Sequence, residues 1–256
     1  MEKIDINQVA EAYKNSMRRL FILDYEGTLI SSAGTSPPSV MEGVNELLFS
    51  LTGTPANRVV VISNQTKDHL AELFNYLPLT LAAENGGFFR ILRDQWQAMN
   101  NGSLVWKNPV LHALSILAMR YKGSAVEQKH FSLIWNYDSV RTWIPPEELQ
   151  QFQAALRSLA KKYGLRLHES DHSIEFTVPE VNKGKFAANW VGTHGEFDFI
   201  LAIGDDSTDE DLFEAVGRDY YTIRVGLSSN SAARYYLDDQ SYVIPFLKGL
   251  INRSVL

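Results

Sequence analysis

The sequence predicts an α/β fold, a doubly wound, Rossmann-like parallel sheet interrupted by an inserted α+β domain. Three observations predict it. Short, nearly continuous apolar runs stand at Arg19–Leu23, Arg58–Ser63 and Phe199–Gly204, as strands buried on both faces of a parallel sheet read. Helical stretches lie between such runs, giving β, α, β, α, β up to Gly87. After a middle of different texture, the same alternation returns from Asn182 onward.

The elements follow in order. Ile4–Asn15 reads as a short helix or lead-in, and Arg19–Leu23 as the first buried strand. Ser31–Ser39 (SSAGTSPPS) is a loop by its Gly, Pro and Ser content. It ends in Ser39-x-x-Glu42, the pattern of a capping box, with Val44, Leu47, Leu48 and Leu51 following at helical spacing. Arg58–Ser63 is the second strand; a helix over Thr66–Asn75 and a short strand before Ala83–Gly87 complete the first half.

The middle reads differently. Val110–Arg120 is helical, Ser132–Tyr137 alternates like a one-sided strand, and Pro145–Tyr163 is a long amphipathic helix. LRLHES and SIEFTV flank Asp171–His172 as a hairpin. Then come a helix from Asn182 to about Val191, the strand Phe199–Gly204, a helix over Asp209–Val216, the strand Tyr221–Gly226 and a terminal helix near Val243–Ile251. The expected division is a core of residues 1–107 and 179–256 around an insert at 108–178. No internal repeat or low-complexity tract interrupts it.

Bulk composition narrows the function. The chain has 256 residues, 45% hydrophobic and 21% charged, as in a globular protein with a full core. A net charge of −6 gives no electrostatic support for nucleic-acid or anionic-membrane binding. There is no cysteine, which excludes disulfides, thiolate metal sites and a cysteine nucleophile and fits a reducing compartment. The N-terminal stretch is polar, without the apolar centre of a signal peptide, and no apolar run approaches the roughly 20 residues of a membrane span. The expected location is the cytoplasm. The start is equally compatible with a natural beginning and with one domain of a longer protein.

The chemistry gathers at strand ends. The first strand runs into Asp24, Glu26, Gly27 and Thr28, the second ends at Ser63, a third ends at Asp205 and Asp206 within GDDSTDED, and the fourth ends at Gly226. Ligands of open parallel sheets bind beyond the carboxyl ends of the strands, so neighbouring strands would bring Asp24, Ser63 and Asp205 to one crevice. Aspartates gathered there repel one another unless a cation sits among them, and hard oxygen ligands suit Mg²⁺. A carboxylate beside such a metal can attack phosphorus. Lys183, opening the helix after the insert, can balance the negative charge. Taken singly, these residues have plainer readings: a common turn, an acidic helix N-terminus favoured by the helix dipole, ordinary strand ends. An EF-hand does not fit, because the D-x-D-x-D-G spacing and its later Glu are absent. Their joint occurrence in this order favours one site.

The order DYEGTL, Ser63, Lys183, GDDSTDED resembles the four motifs of the haloacid-dehalogenase superfamily of phosphotransferases. Over nearly the whole chain, RLFILDYEGTL, AENGG, VEQKHFSLIWNY, SIEFTVPEVNKG and GDDSTDEDLF resemble trehalose-6-phosphate phosphatases, including the phosphatase-like domains fused behind trehalose-phosphate synthases. IDINQVAEAYKNSMRRL is similar to the linker between those domains. The resemblance implies Asp24 as nucleophile and Mg²⁺ ligand, with Glu26 binding the metal through its backbone carbonyl and serving as general acid/base. It implies Ser63 and Lys183 on the phosphate, Asn64 as a substrate-binding residue, and Asp205, backed by Asp206 or Asp209, in the metal site. The insert becomes a cap in which Glu127, Lys129 and Glu175 stand at sugar-contacting positions. Thr28 is expected to support the nucleophile loop.

Departures from the family pattern are specific. Glu26 stands for the usual Asp, Ser63-Asn64-Gln65 for Ser-Gly-Arg, Asn85 for a His, Trp135-Asn136-Tyr137-Asp138 for W-H-Y-R, and Thr177 for the Arg of E-V-R-P. Asp138 replaces a donor by an acceptor-only carboxylate, with Arg141 the nearest substitute donor in sequence. Glutamate and aspartate differ little in intrinsic acidity, so reach is the issue at Glu26, where misplacement by ~1 Å can cost ~10²-fold. The expected activity is Mg²⁺-dependent hydrolysis of trehalose 6-phosphate through an aspartyl-phosphate, weakened but not abolished. The alternative is a degenerate, regulatory or sugar-phosphate-sensing domain of a trehalose-synthesis complex. A trehalose-phosphate synthase domain or subunit is the expected partner in either case. Trp96 and Trp106 are expected to pack rather than to stack on a ligand.

Overall fold

The computed structural model describes residues 1–32, 37–99 and 103–253. Residues 33–36 of the predicted loop at 31–39 lie outside the described residues. The chain divides into two compact units, Met1–Met99 with Asn182–Leu256, and Asn100–Val181. The second boundary falls three residues after the expected 178/179, and the first falls eight residues before 107/108.

The first unit begins with β1 (Glu2–Lys3), α1 (Ile6–Asn15), β2 (Arg19–Asp24), α2 (Pro38–Thr52) and β3 (Asn57–Ile62). It continues with α3 (Lys67–Phe74), β4 (Thr80–Ala83), β5 (Phe88–Arg90) and β6 (Gln97–Ala98). The second unit holds α4 (Lys107–Arg120), β7 (Ala125–Gln128), β8 (Ser132–Asn136), α5 (Pro146–Tyr163), β9 (Arg166–Glu169) and β10 (Ser173–Thr177). The chain returns to the first through α6 (Lys183–His194), β11 (Phe199–Gly204), α7 (Thr208–Val216), β12 (Tyr221–Val225), β13 (Tyr235–Leu237) and α8 (Val243–Arg253).

Among the described residues the first unit forms one sheet in the order β1-β13-β12-β11-β2-β3-β4-β5-β6. Pairing is parallel from β1 through β4 and antiparallel from β4 to β6. Side chains alternate between the two faces of each strand. Phe21, Leu23, Val59, Val61, Leu201 and Ile203 therefore pack with α1, α2 and α8 through Val9, Tyr13, Leu47, Leu48 and Leu247. Leu20, Ile22, Val60, Ile62 and Ala202 face Phe186, Ala187, Trp190 and Leu212 of α6 and α7. Both sets are apolar because both faces are covered, which is why the strands read as unbroken apolar runs.

The start of α2 departs from expectation. The helix begins at Pro38 with Pro37 as its cap residue and no side-chain cap hydrogen bond, so Ser39 lies inside the first turn and the capping box is not made. Pro38 presets the helical φ and has no N–H to cap, so the serine is not needed there. α6 also runs beyond Val191 to His194. The strands β1, β5, β6, β7 and β13, of two to four residues each, had not been anticipated.

Close packing of α6 on α7 makes a test of the fold. A Cβ on Gly184 would lie 2.1 Å from the backbone oxygen of Asp211. Gly184→Ala is expected to cost about 1–3 kcal/mol as the helices are forced apart, seen as a lower Tm; an unchanged Tm contradicts this approach.

The second unit is a four-stranded antiparallel sheet, β7-β8-β10-β9, with α4 and α5 packed on it. Leu133, Trp135, Ile174 and Phe176 are buried on one face. The register aligns Glu127, Ile134, Glu175 and His168 in one row across the other face. Trp106 is buried in this unit, and in the first unit Trp96 is half-buried against the core, both as packing residues.

Candidate active site

The carboxyl ends of β11, β2 and β3 lie side by side, with Ile203 opposite Leu23 and Asp24 opposite Ile62. Asp24 is the last residue of β2. The chain turns tightly after it: Leu29 and Ile30 N–H groups donate to the Tyr25 carbonyl at 2.9 and 3.0 Å, and Gly27 N–H donates to Ile30 O at 2.7 Å. Gly27 has φ +82°, and a Cβ there would lie 2.1–2.3 Å from the Asp205 carboxylate. The loop thus lies against Asp205, and fully buried Thr28 donates its hydroxyl to Asp205 Oδ1 at 3.2 Å. Gly27→Ala is expected to displace Asp205 as well as strain the loop, so Mg²⁺ affinity measured by calorimetry should fall at least ~10-fold, against the 1.4 kcal/mol that such a factor represents; unchanged affinity contradicts it.

Lys183 is the first residue of α6, capped by the Asn182 side chain accepting from Lys185 N–H at 2.8 Å. A cation at a helix N-terminus is unfavourable to the helix dipole, and here it is also buried, at 2% exposure. Two carboxylates compensate: Nζ donates to Asp24 Oδ1 at 2.7 Å and to Asp209 Oδ1 at 2.8 Å. The other oxygen of Asp209 accepts from the N–H groups of Asp205 and Asp206 at 3.0 and 3.1 Å. Asp209 thereby orients both the lysine and the end of β11.

Charge is concentrated here. Burial pushes the Asp24 carboxyl up to about 7; Lys183 pulls it back, while Asp206 and Asp205 push it further. Burial likewise raises Asp209 to about 8 and Asp205 to about 6, with neighbouring aspartates adding to both. Burial acts to lower the Lys183 pKa, but Asp209 and Asp24 outweigh it and hold the ammonium well above its ordinary value. Asp206 behaves differently: partial desolvation opposes its ionisation, yet Lys183 and hydrogen bonds from Thr208 leave its pKa below the ordinary range. One lysine does not neutralise this set. Asp24, Asp205 and Asp209 each offer an oxygen, all within 4.8 Å of one another, and the all-carboxylate donor set is the hard-oxygen type that Mg²⁺ takes.

Ser63 follows β3 and is buried; its N–H donates to Ala82 O, its carbonyl accepts from Asn85 N–H, and its Oγ accepts from Gln65 N–H, at 2.9, 2.9 and 3.0 Å. Asn64 is half-buried in the bend between them. Asn85 adopts φ +55°, a conformation asparagine tolerates better than most residues. Glu26 does not join the buried cluster. It is exposed, and its Oε2 accepts from Gln65 Nε2 at 2.8 Å. Gln65, which in sequence is only a departure from Ser-Gly-Arg, thus meets Glu26 directly.

In the second unit Glu127 and Lys129 pair at 3.5 Å, the lysine buried and the glutamate exposed. Glu175 is buried with Oε1 unpartnered, and burial raises its pKa against the pull of Lys129. Arg141 does not compensate for Asp138: it pairs with Asp171 at 3.3 Å, while Asp138 takes His172 Nδ1 at 2.6 Å.

These features define a class first. A haloacid dehalogenase-like hydrolase from Bacteroides thetaiotaomicron matches 90% of this chain and 98% of its own with a TM-score of 0.65 at 15% identity. The fold is that of the haloacid dehalogenase-like hydrolases. The trehalose-phosphatase family model matches residues 22–241, and the chain belongs to that family. A trehalose-6-phosphate phosphatase structure from Aspergillus fumigatus is 28% identical, covers 98% of this chain and 99% of its own, and has a TM-score of 0.73. The alpha,alpha-trehalose-phosphate synthase B of Dictyostelium discoideum is 30% identical over 97% of this chain. That match takes in 32% of the synthase; the chain spans about a third of the length of the first curated relatives it matches. Among the described residues, no helix is long and apolar enough to cross a membrane.

Proposed function

We propose that the chain is a Mg²⁺-dependent phosphatase that hydrolyses trehalose 6-phosphate through an aspartyl-phosphate on Asp24. The observation that carries this is the buried lysine shared by Asp24 and Asp209 at 2.7 and 2.8 Å within a cluster of three carboxylates. A scaffold has no use for so costly a concentration of charge, whereas phosphoryl transfer needs it to position and stabilise. Asp24, Asp205 and the Glu26 carbonyl, with Asp206 or Asp209 behind them, would hold Mg²⁺, which supplies positive charge to the phosphoryl oxygens.

In this mechanism an Asp24 oxygen attacks phosphorus as the bond to the sugar oxygen breaks. The Glu26 carboxyl gives its proton to that leaving oxygen. Water then attacks the phosphorus of the aspartyl-phosphate and passes a proton to the Glu26 carboxylate, and Asp24 is released with inorganic phosphate. Ser63, whose oxygen already accepts from Gln65 N–H, has its own proton for a phosphate oxygen, and Lys183 steadies Asp24 and the transferring group. Asn64, next to Ser63 in the chain, is a proposed substrate-binding residue. The second unit serves as the cap, with Glu127, Lys129 and Glu175 contacting the sugar and water excluded during transfer. A trehalose-phosphate synthase domain or subunit is the proposed partner, a reading supported by the synthase relative.

One observation favours a second reading, a sugar-phosphate-sensing domain: the position expected to supply a sugar-binding donor is Asp138, paired with His172. Phosphate release from trehalose 6-phosphate with and without Mg²⁺ separates the two. The native chain should turn over only with Mg²⁺. A chain that binds the sugar phosphate and releases nothing at any Mg²⁺ concentration is a sensor.

A further inference from the structure

We propose that Gln65 is the positioning residue that lets a glutamate do the work at position 26. The inference rests on the phosphatase reading and deepens it. Glu26 is exposed and carries one more rotatable bond than an aspartate, so by itself its carboxylate would sample several rotamers. Among the described residues its carboxylate accepts from Gln65 Nε2, with Glu26 Oε2 at 2.8 Å.

Both ends of that contact are rigid. Gln65 N–H donates to Ser63 Oγ at 3.0 Å, and its carbonyl accepts from Glu84 N–H at 2.9 Å. Glu26 precedes Gly27, whose N–H is bonded to Ile30 O and whose Cα lies against Asp205. The side-chain bond therefore joins two backbone segments that are each tied down by their own hydrogen bonds. The bond engages Oε2, so Oε1 is the oxygen assigned to proton transfer, and an amide donor adds no charge beside the phosphate. A shorter aspartate at 26 would fall short of Gln65, so the two residues work as a matched pair.

Three measurements test this on the full chain. Gln65→Leu removes the donor at similar size, Gln65→Arg keeps a donor, and Glu26→Asp shortens the partner. In single turnovers, Gln65→Leu should slow phosphoryl transfer from trehalose 6-phosphate ~10–100-fold with KM little changed. Transfer from p-nitrophenyl phosphate, whose leaving group needs no proton, should slow by less than about 3-fold. Gln65→Arg should recover most of the loss. In the Glu26→Asp background, Gln65→Leu should have no further effect. The side-chain amide resonances of Gln65, followed by NMR, should move on Glu26→Asp whether or not substrate turns over.

Equal loss on both esters, additive effects in the double variant, or amide resonances indifferent to Glu26→Asp overturn the positioning role and leave the phosphatase reading standing. A native chain that transfers phosphate from neither ester overturns the phosphatase reading, and this inference with it.

Discussion

Lys183→Met is expected to destabilise the metal-free protein by about 3–5 kcal/mol, because it leaves buried carboxylates without their cation. Lys183 lies 2.7 and 2.8 Å from Asp24 and Asp209, and all three side chains are at most 5% exposed. The carboxylates can escape by taking up protons, so the loss should be smaller near pH 5 and larger near pH 8. Mg²⁺ should recover part of the stability by replacing the missing charge. Turnover should fall by ~10²–10³-fold even with Mg²⁺, the scale of removing one electrostatic contact to a transition state. Lys183→Arg is not expected to rescue either property, since a planar fork does not fit where a compact ammonium serves two oxygens. Urea unfolding at the two pH values is the measurement; a variant whose midpoint matches the native chain at pH 8 shows that the lysine is not compensating buried charge.

Asp24→Asn is expected to have opposite effects on activity and stability. Turnover should vanish, because an amide cannot form the aspartyl-phosphate. Stability without metal should rise at high pH. Burial holds the Asp24 pKa at about 7 against 3.8 in the unfolded chain. Between those values the folded state keeps a proton that the unfolded state has released, so stability falls as pH climbs from about 4 to about 7 and the penalty is complete above it. Asparagine carries no such penalty. The variant should therefore melt higher than the native chain at pH 8 without Mg²⁺, and near the native value at pH 4. Mg²⁺ is expected to raise the Tm of the native chain more than that of the variant, because the variant lacks one ligand charge. A variant that melts lower at pH 8, or that still releases phosphate, contradicts the assignment of Asp24.

The outcome at Glu26 is now sharper than residue type alone allowed. By residue type alone the longer carboxylate is misplaced by its extra methylene; the hydrogen bond from Gln65 gives that length a fixed end point. Asp138 moved the other way: the nearest basic residue in sequence, Arg141, is committed to Asp171.

Much of the fold was legible because it is written in local periodicity. β2, β3 and β11 read as buried strands since both of their faces meet helices, and the helix expected from Thr66 does start there, with the Thr66 hydroxyl accepting from His69 N–H. Where local chemistry had two solutions, the reading went astray. Ser39 had the form of a capping box, yet Pro38 had already set the first turn. β1 and β13 have two and three residues, too few for a period, and exist as strands only because each finds a partner.

The site divides along the same line. Asp24, Lys183 and Asp205 stand at strand ends or a helix start, so their residue types and order pointed to them by sequence, whereas Asp209 entered only through the family resemblance, as an alternative to Asp206. Only the tertiary structure decided that Lys183 is shared between Asp24 and Asp209, that Gly27 must be glycine because Asp205 lies against it, and that Gln65 holds Glu26. Those contacts join residues 26 to 178 positions apart. Periodicity and motif spacing act within one element, whereas a hydrogen bond across the crevice depends on which strands become neighbours, and that is settled when the sheet forms.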